Sequence, residues 1–253
     1  MKNKNPRSYT LEICCDSVAS AIAAARGGAN RIELCENLAQ GGVTPSAAKI
    51  TLAKARLSIP VFVLIRPRKA DFLYTDLEFE IMLEDIRQAK ALGADGIVSG
   101  ALNADGTVDE ARTREMVEAA GPLPFTFHRA FDMCRDALAA IDILAGLGVN
   151  RILTSGQQPT ALEGKTNLER FAQYAGRRIS IMACGELLPD NIGALLDIDG
   201  LTEFHSAARM EVQSQMSYTG EVNMGDEAVQ DEFRWQEVDE GLVRGMRHVL
   251  NTR

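Results

Sequence analysis

LEICCDSVASAIAAARGGANRIELC, residues 11–35, decides the fold. Leu11 to Cys15 is a short run of strand-forming length. Val18 to Arg26 is alanine-rich and reads as a helix that stops at Gly27-Gly28. Arg31 to Cys35 repeats the apolar alternation of the first run. Strand, helix and strand in so few residues demand a parallel crossover, because a hairpin would need only a tight turn. The same unit recurs to the C-terminus. Further strands are expected at Val61–Arg66, Gly96–Ser99, Phe125–His128, Arg151–Ser155, Ile179–Ala183 and Thr202–Ser206. The intervening helices are expected from Pro45, where a missing N–H is harmless, at Asp76–Leu92 before Gly93, at Asp109–Ala120 and at Asp136–Leu147 before Gly148. The last three fall at Asn167–Ala175, Pro189–Leu196 and Gln236–Leu250. Eight such units in one chain close a barrel, so the fold class is α/β, a single (β/α)8 TIM barrel over residues 1–253.

The rival arrangement, a doubly wound open sheet that binds a dinucleotide, needs a glycine fingerprint after the first strand. That turn is Cys15-Asp16-Ser17, so no nucleotide cofactor is expected. Two segments lie outside the repeat. Residues 1–8 form a short polar tail. Residues 207–235 lack clear periodicity, carry Met210, Met216 and Met224, and are expected as a long loop over the barrel mouth or at a subunit contact.

Hydrophobic residues make up 46% and charged residues 25%, enough for a packed core, and the net charge is -8. An acidic chain does not suit phosphate neutralisation, which excludes nucleic acid as the expected partner. No apolar run is long enough to span a bilayer, and Met1–Arg7 lacks the apolar stretch of a signal peptide. A cytoplasmic protein is expected, with Cys14, Cys15, Cys35, Cys134 and Cys184 as thiols.

Barrel strands alternate inward and outward side chains. With Leu11, Ile13, Ile32 and Leu34 turned to the helices, Glu12 and Cys14 point inward from strand 1, and Glu33 and Cys35 from strand 2. Cys15 has the opposite parity. Glu203 and His205 point inward from strand 8. Strand 3 ends in Arg66, strand 5 in His128-Arg129, strand 6 in Thr154-Ser155 and strand 8 in Ser206. Such polar groups are costly inside a barrel unless they pair with one another, a metal or a ligand, and the C-terminal strand ends are where this fold places its sites. Two chemistries fit. Paired thiolates at Cys14 and Cys35 are soft ligands for Cu(I) or zinc. Glu12, Glu33, His128 and His205 suit acid–base catalysis on a small anionic metabolite, held by Arg66, Arg129, Thr154, Ser155 and Ser206. The structural alternatives are core ion pairs for the glutamates with Arg31, Arg66 or Arg129, hydrogen-bonded core histidines, and thiols that only pack. There is no Ser–His–Asp triad, Walker motif or H-E-x-x-H, and Glu186 after strand 7 opposes a phosphate there.

The chain resembles the CutC family from Leu11 to its last helix. The likeness is carried by L-E-I-C at 11–14, G-A-N-R-I-E-L-C at 28–35, G-G-V-T-P at 41–45 and I-R-P-R at 65–68. It continues through D-F-L-Y-T-D at 71–76, T-F-H-R-A-F-D-M at 126–133, R-I-L-T-S-G at 151–156 and E-F-H-S-A at 203–207. The resemblance implies a TIM barrel, a cytoplasmic location, a homodimer or larger homo-oligomer, and a link to copper homeostasis. It also implies Cu(I) as a ligand at cysteines whose motifs match those of Cys14 and Cys35. Family members tend to be glycine-rich after strand 7, where this chain has Cys184-Gly185-Glu186.

Overall fold

The computed structural model describes residues 8–220, 222 and 232–252. Eight parallel strands close in sequence order into one barrel: β1 Thr10–Cys15, β2 Arg31–Leu34, β3 Val61–Leu64, β4 Gly96–Ser99, β5 Phe125–Phe127, β6 Arg151–Thr154, β7 Ser180–Ala183 and β8 Glu203–Ser206. Around them lie α1 Val18–Arg26, α2 Ala47–Arg56, α3 Asp76–Ala91, α4 Glu110–Ala120, α5 Ala137–Gly146, α6 Lys165–Ala175 and, closing the ring, α7 Glu240–Asn251. Residues 1–7 of the expected polar tail, and Met224, lie outside the described residues.

All of these helices except α6 begin where a side-chain oxygen replaces a missing intrahelical acceptor. Ser17 caps α1 and Asp109 caps α4. Thr75 and Glu78 form a capping box on α3. This rule corrects the expected start at Pro45: Ser46 accepts from Lys49 N, so α2 begins at Ala47. It also corrects the last helix. Asp239 accepts from Leu242 N at 2.8 Å, so α7 starts at Glu240, and Gln236–Val238 belong to a strand. That strand, β10 Arg234–Val238, pairs antiparallel with β9 Arg209–Gln213, so the segment 207–235 expected as a long loop carries a strand toward each end. The ladder satisfies backbone groups that a loop would leave to water, and the hairpin base is tied down by Val238 N donating to Ser20 Oγ at 3.1 Å. Pro189–Leu196, expected as a helix, is a 3₁₀ turn at Ile192–Leu195, whose two ends Ile192 and Leu195 are the buried anchors.

Following the register pairings round the barrel returns to β1 displaced by eight residues, the shear typical of this fold. Side chains from alternate strands therefore fill the interior in layers of four. Arg31, Gly96, Arg151 and Glu203 form the floor, followed by Glu12, Phe62, Thr126 and Met182. Glu33, Val98, Leu153 and His205 come next. Cys14, Leu64, His128 and Cys184 form the layer nearest the C-terminal mouth. Leu11, Ile13, Cys15, Ile32 and Leu34 pack outward with the helices, in the parity read from the sequence.

The lower layers are ionic rather than aliphatic. Glu203 Oε2 accepts from Arg31 Nη2 at 3.0 Å and Arg151 Nε at 2.5 Å, and its Oε1 accepts from Ser180 Oγ at 2.7 Å. Arg31 Nε also donates to Glu12. Both guanidinium groups lie against the Phe62 ring, at 4.6 and 5.7 Å from its centroid. Gly96 makes room for that ring, since a Cβ there would sit 2.5 Å from it.

Removing Glu203 leaves two buried guanidinium groups short of a counter-charge, so Glu203→Ala should cost about 3–5 kcal/mol in urea unfolding at pH 7. The arginines hold the Glu203 carboxyl below its ordinary value of 4.5 against the opposing effect of burial. Its contribution is present above that value and lost as pH falls through the lower folded value. The difference between wild type and variant should therefore shrink on acidification below about pH 4.5.

Candidate functional site

A cavity of about 480 Å³ opens at the C-terminal mouth. Its floor is the uppermost layer, Cys14, Leu64, His128 and Cys184, together with Glu33, Leu153 and His205 from the layer beneath. Glu12 is one layer lower still and fully buried. The inward parity expected for it is present, but two residues of rise along a tilted strand place it beneath the cavity. Its two oxygens are committed, Oε2 to Arg31 and Oε1 to His205 Nδ1 at 2.7 Å.

That second bond organises the site. Burial acts to raise the Glu12 pKa, but the neighbouring Arg31 and His205 hold it down at about 2. Glu12 is therefore an anion that accepts, and His205 Nδ1 carries the proton. Nε2 then faces Glu33 Oε2 at 3.9 Å. Burial would lower the His205 pKa, yet the Glu12 hydrogen bond and the charges of Glu33 and Glu12 raise it above 6.5. Cys14 Sγ donates to Glu33 Oε2 at 2.9 Å and lies 3.6 Å from Cys35 Sγ. The Cys35 contact, burial and Glu33 push the Cys14 thiol well above its ordinary value. Burial, the largest influence, also raises Glu33.

Ligand atoms of Cys14, Glu33 and His205 all fall within 4.8 Å of one another, the one group of this kind among the described residues. Cys35 stands behind Cys14, fully buried under the turn containing Gly42 rather than in the cavity wall. Two ligands about 2.3 Å from a shared tetrahedral ion stand roughly 3.8 Å apart, so the observed sulfur separation suits a shared ion as well as packing. A carboxylate behind the imidazole, as Glu12 is behind His205, is the usual outer partner of a metal-binding histidine.

The remaining expected site residues divide. Arg66, His128, Arg129 and Ser206 line the cavity. Ser206 Oγ donates to Leu187 O at 2.6 Å and accepts from Ala208 N at 3.1 Å, which shapes the turn after β8. Thr154 and Ser155 are not in the cavity wall; both donate to Asp132, which also accepts from Arg129 Nε at 2.7 Å and Gln157 N at 3.2 Å. Asp132 thus fixes the turn that carries Arg129. It stands in the T-F-H-R-A-F-D-M run, but its role depends on β6, which local spacing does not reveal. Phe72 lines the cavity without having been expected there, while Cys184, just past strand 7, and Arg209, at the start of the segment expected over the mouth, also line it.

Residues 9–210 match the model of the CutC family. A family protein CutC from Chromobacterium violaceum is 46% identical over 242 residues, spanning 95% of this chain and 98% of that protein. A human copper homeostasis protein cutC homolog is 44% identical over 242 residues, 95% of this chain and 89% of its own. The crystal structure of CutC from Streptococcus agalactiae superposes with a TM-score of 0.75 at 34% identity, covering 79% of this chain and 98% of that one.

The sequence has three histidines, so imidazole nitrogen spectra should resolve each one. His205 should keep its proton above pH 6.5, and His128, which burial lowers to about 3, should stay neutral down to that region. A raised folded pKa stabilises the protein below the unfolded value and is lost as pH rises through the folded one. Wild type should accordingly lose more stability than His205→Gln between pH 6 and 9 in urea melts.

Proposed function

The chain belongs to the CutC family, and from that premise we propose that it serves copper homeostasis by binding Cu(I) at the barrel mouth through Cys14 and Cys35. The observation that carries this reading is the convergence of Cys14 Sγ, the Glu33 carboxylate and His205 Nε2 behind a single cavity wall. Thiolate and imidazole are soft and intermediate ligands, suited to Cu(I) or zinc rather than to magnesium or calcium. Cys35 supplies the second sulfur from behind, and Glu12 holds His205 Nδ1–H, so that Nε2 is the nitrogen open to the ion once the imidazolium gives up its proton. A bound Cu(I) would supply no acid–base chemistry; here it is cargo. Because the Cys14 thiol is held well above its ordinary pKa, metal entry must displace its proton. Affinity should then rise with pH, by up to about tenfold per unit for each thiol proton released.

A second reading, an enzyme acting on a small anionic metabolite, is favoured by the cavity itself, whose volume suits an organic molecule better than a bare ion. Glu33 and His205 are then the proton-transfer pair, while Glu12 and His128 are not: the first is sealed below the cavity and the second is held neutral. Residence in the cytoplasm and assembly into a homodimer or larger homo-oligomer belong to the same proposal, and light scattering on the purified chain tests the assembly.

An anaerobic Cu(I) titration against a competing chelator tests the copper reading. Wild type should take up the ion stoichiometrically, with affinity increasing from pH 6 to 8. The Cys14→Ser/Cys35→Ser double variant should lose that binding while keeping its circular dichroism spectrum. Unchanged affinity in the variant would leave the thiols as packing residues.

A further inference from the structure

Of the five thiols, Cys14 and Cys35 make the one sulfur–sulfur contact among the described residues, at 3.6 Å. Cys15 turns its Sγ back to the carbonyl of Ile13, and Cys134 turns its own to that of Ala130. Cys184 lines the cavity with no thiol beside it. The two members of the pair differ in access. Cys14 lines the cavity, whereas Cys35 is fully buried and stands outside its wall. Cys14 also has a proton acceptor in place, because its Sγ donates to Glu33 Oε2 at 2.9 Å. A thiol reached from a cavity, a base beside it and a second thiol sealed behind it are the parts of a dithiol that oxidises in two steps. A disulfide holds its sulfurs about 2.05 Å apart, so the pair must close from 3.6 Å by roughly 1.5 Å. Cys35 is placed to make that movement. It follows Leu34, the last residue of β2, where the chain turns away from the sheet. Gly42 faces it there: a Cβ at that position would stand 3.6 Å from Cys35 Sγ and 2.7 Å from Leu64 Cδ2, so the glycine keeps the turn from pinning the thiol.

We propose that Cys14 and Cys35 are a redox couple, closed to a disulfide by a hydroperoxide and reopened by an external dithiol, and that closure withdraws both sulfurs from a metal ion. With hydrogen peroxide the step balances as follows. The Cys14 sulfur gives its proton to Glu33 and attacks one peroxide oxygen. The O–O bond breaks, and the departing oxygen takes the proton from Glu33 and leaves as water. Cys14 is now a sulfenic acid. The Cys35 sulfur attacks the Cys14 sulfur, the S–O bond breaks, and the hydroxyl leaves as a second water with the Cys35 proton. Two electrons have passed from the thiols to the peroxide. The external dithiol later returns two electrons and two protons and becomes a disulfide itself. Two features make this a switch rather than a permanent staple. Cys14 faces Glu33 in the β1–β2 register, two residues short of Cys35, so the bond runs diagonally across the ladder. Disulfides made against the backbone are the readily reduced ones. Burial and its neighbours also keep little of Cys14 as thiolate, so the couple responds to abundant peroxide and not to traces. The couple stands without copper; only its effect on metal binding rests on the copper reading above.

The test exposes the intact, metal-free protein to hydrogen peroxide, alkylates the remaining thiols under denaturing conditions and maps the peptides by mass spectrometry. The peptides carrying Cys14 and Cys35 should be joined with the loss of two hydrogens, and a phosphine reductant should separate them. Cys35→Ser should instead leave Cys14 as a sulfenic acid that dimedone captures, while Cys14→Ser should leave Cys35 reduced. The bridged wild-type protein is then titrated with Cu(I), and binding should be lost until the phosphine has reopened the pair. If Cys14 and Cys35 stay reduced at every peroxide concentration that preserves the circular dichroism spectrum, the couple falls and the copper reading stands. A bridge made through Cys15 in place of Cys14 would overturn the couple as well. Cu(I) binding that survives the bridge would overturn the switch together with the two-thiolate copper site, while the couple itself would stand.

Discussion

Glu12 is the pivot of the structure. One of its oxygens accepts a hydrogen bond from Arg31 in the ionic floor, and the other accepts one from His205 in the layer that opens to solvent. Barrels of this kind commonly fill their interior with branched aliphatic side chains, and this one substitutes a chain of charges running from Arg151 through Glu203, Arg31 and Glu12 to His205. Buried ion pairs add little net stability over a well-packed apolar core. What this chain provides is position: an imidazole whose tautomer and orientation are set by groups that cannot move without leaving a charge unpaired.

The cavity above that pivot has two chemically different walls. The side formed by β8, β1 and β2 gathers a thiol, a carboxylate and an imidazole whose Nδ1 is turned away from the cavity onto Glu12. The side formed by the ends of β3 and β5 presents a guanidinium and a neutral imidazole around an aromatic ring. His128 and His205 sit one layer apart, yet the protein treats them oppositely. His205 has carboxylates for neighbours and holds its proton; His128 has Arg66 and hydrocarbon and stays uncharged. Identical side chains in one pocket thus take different parts because of who faces them.

Much of this was legible in the sequence. Period-two alternation turned Cys14, Glu33, Cys35 and His205 inward, and the glycine-closed helices counted out eight units. Parity does not give height. Glu12 and Cys14 share a face, but only the barrel shear places one below the cavity and the other in its wall. Contacts between distant segments were hidden for the same reason: Asp132 gathers Thr154 and Ser155 away from the ligand space, and nothing in the local pattern of β6 announces it. The β9–β10 pairing is faint in the sequence because R-M-E-V-Q and R-W-Q-E-V are short and their faces are largely solvent-exposed, so the hydrophobic alternation that marks a buried strand is weak.

The bond between β1 and β8 is also the seam where the chain's beginning meets its end. Glu12 and His205 are 193 residues apart, and the thiol and carboxylates of the first two strands acquire their imidazole only when the eighth strand docks. In a chain emerging from the ribosome, Cys14 and Glu33 are therefore made early and wait through the synthesis of six further strands before their partner exists. A product truncated before residue 203 has the sulfur without the nitrogen. The site exists only once β8 has docked on β1, so its presence reports that the ring has closed.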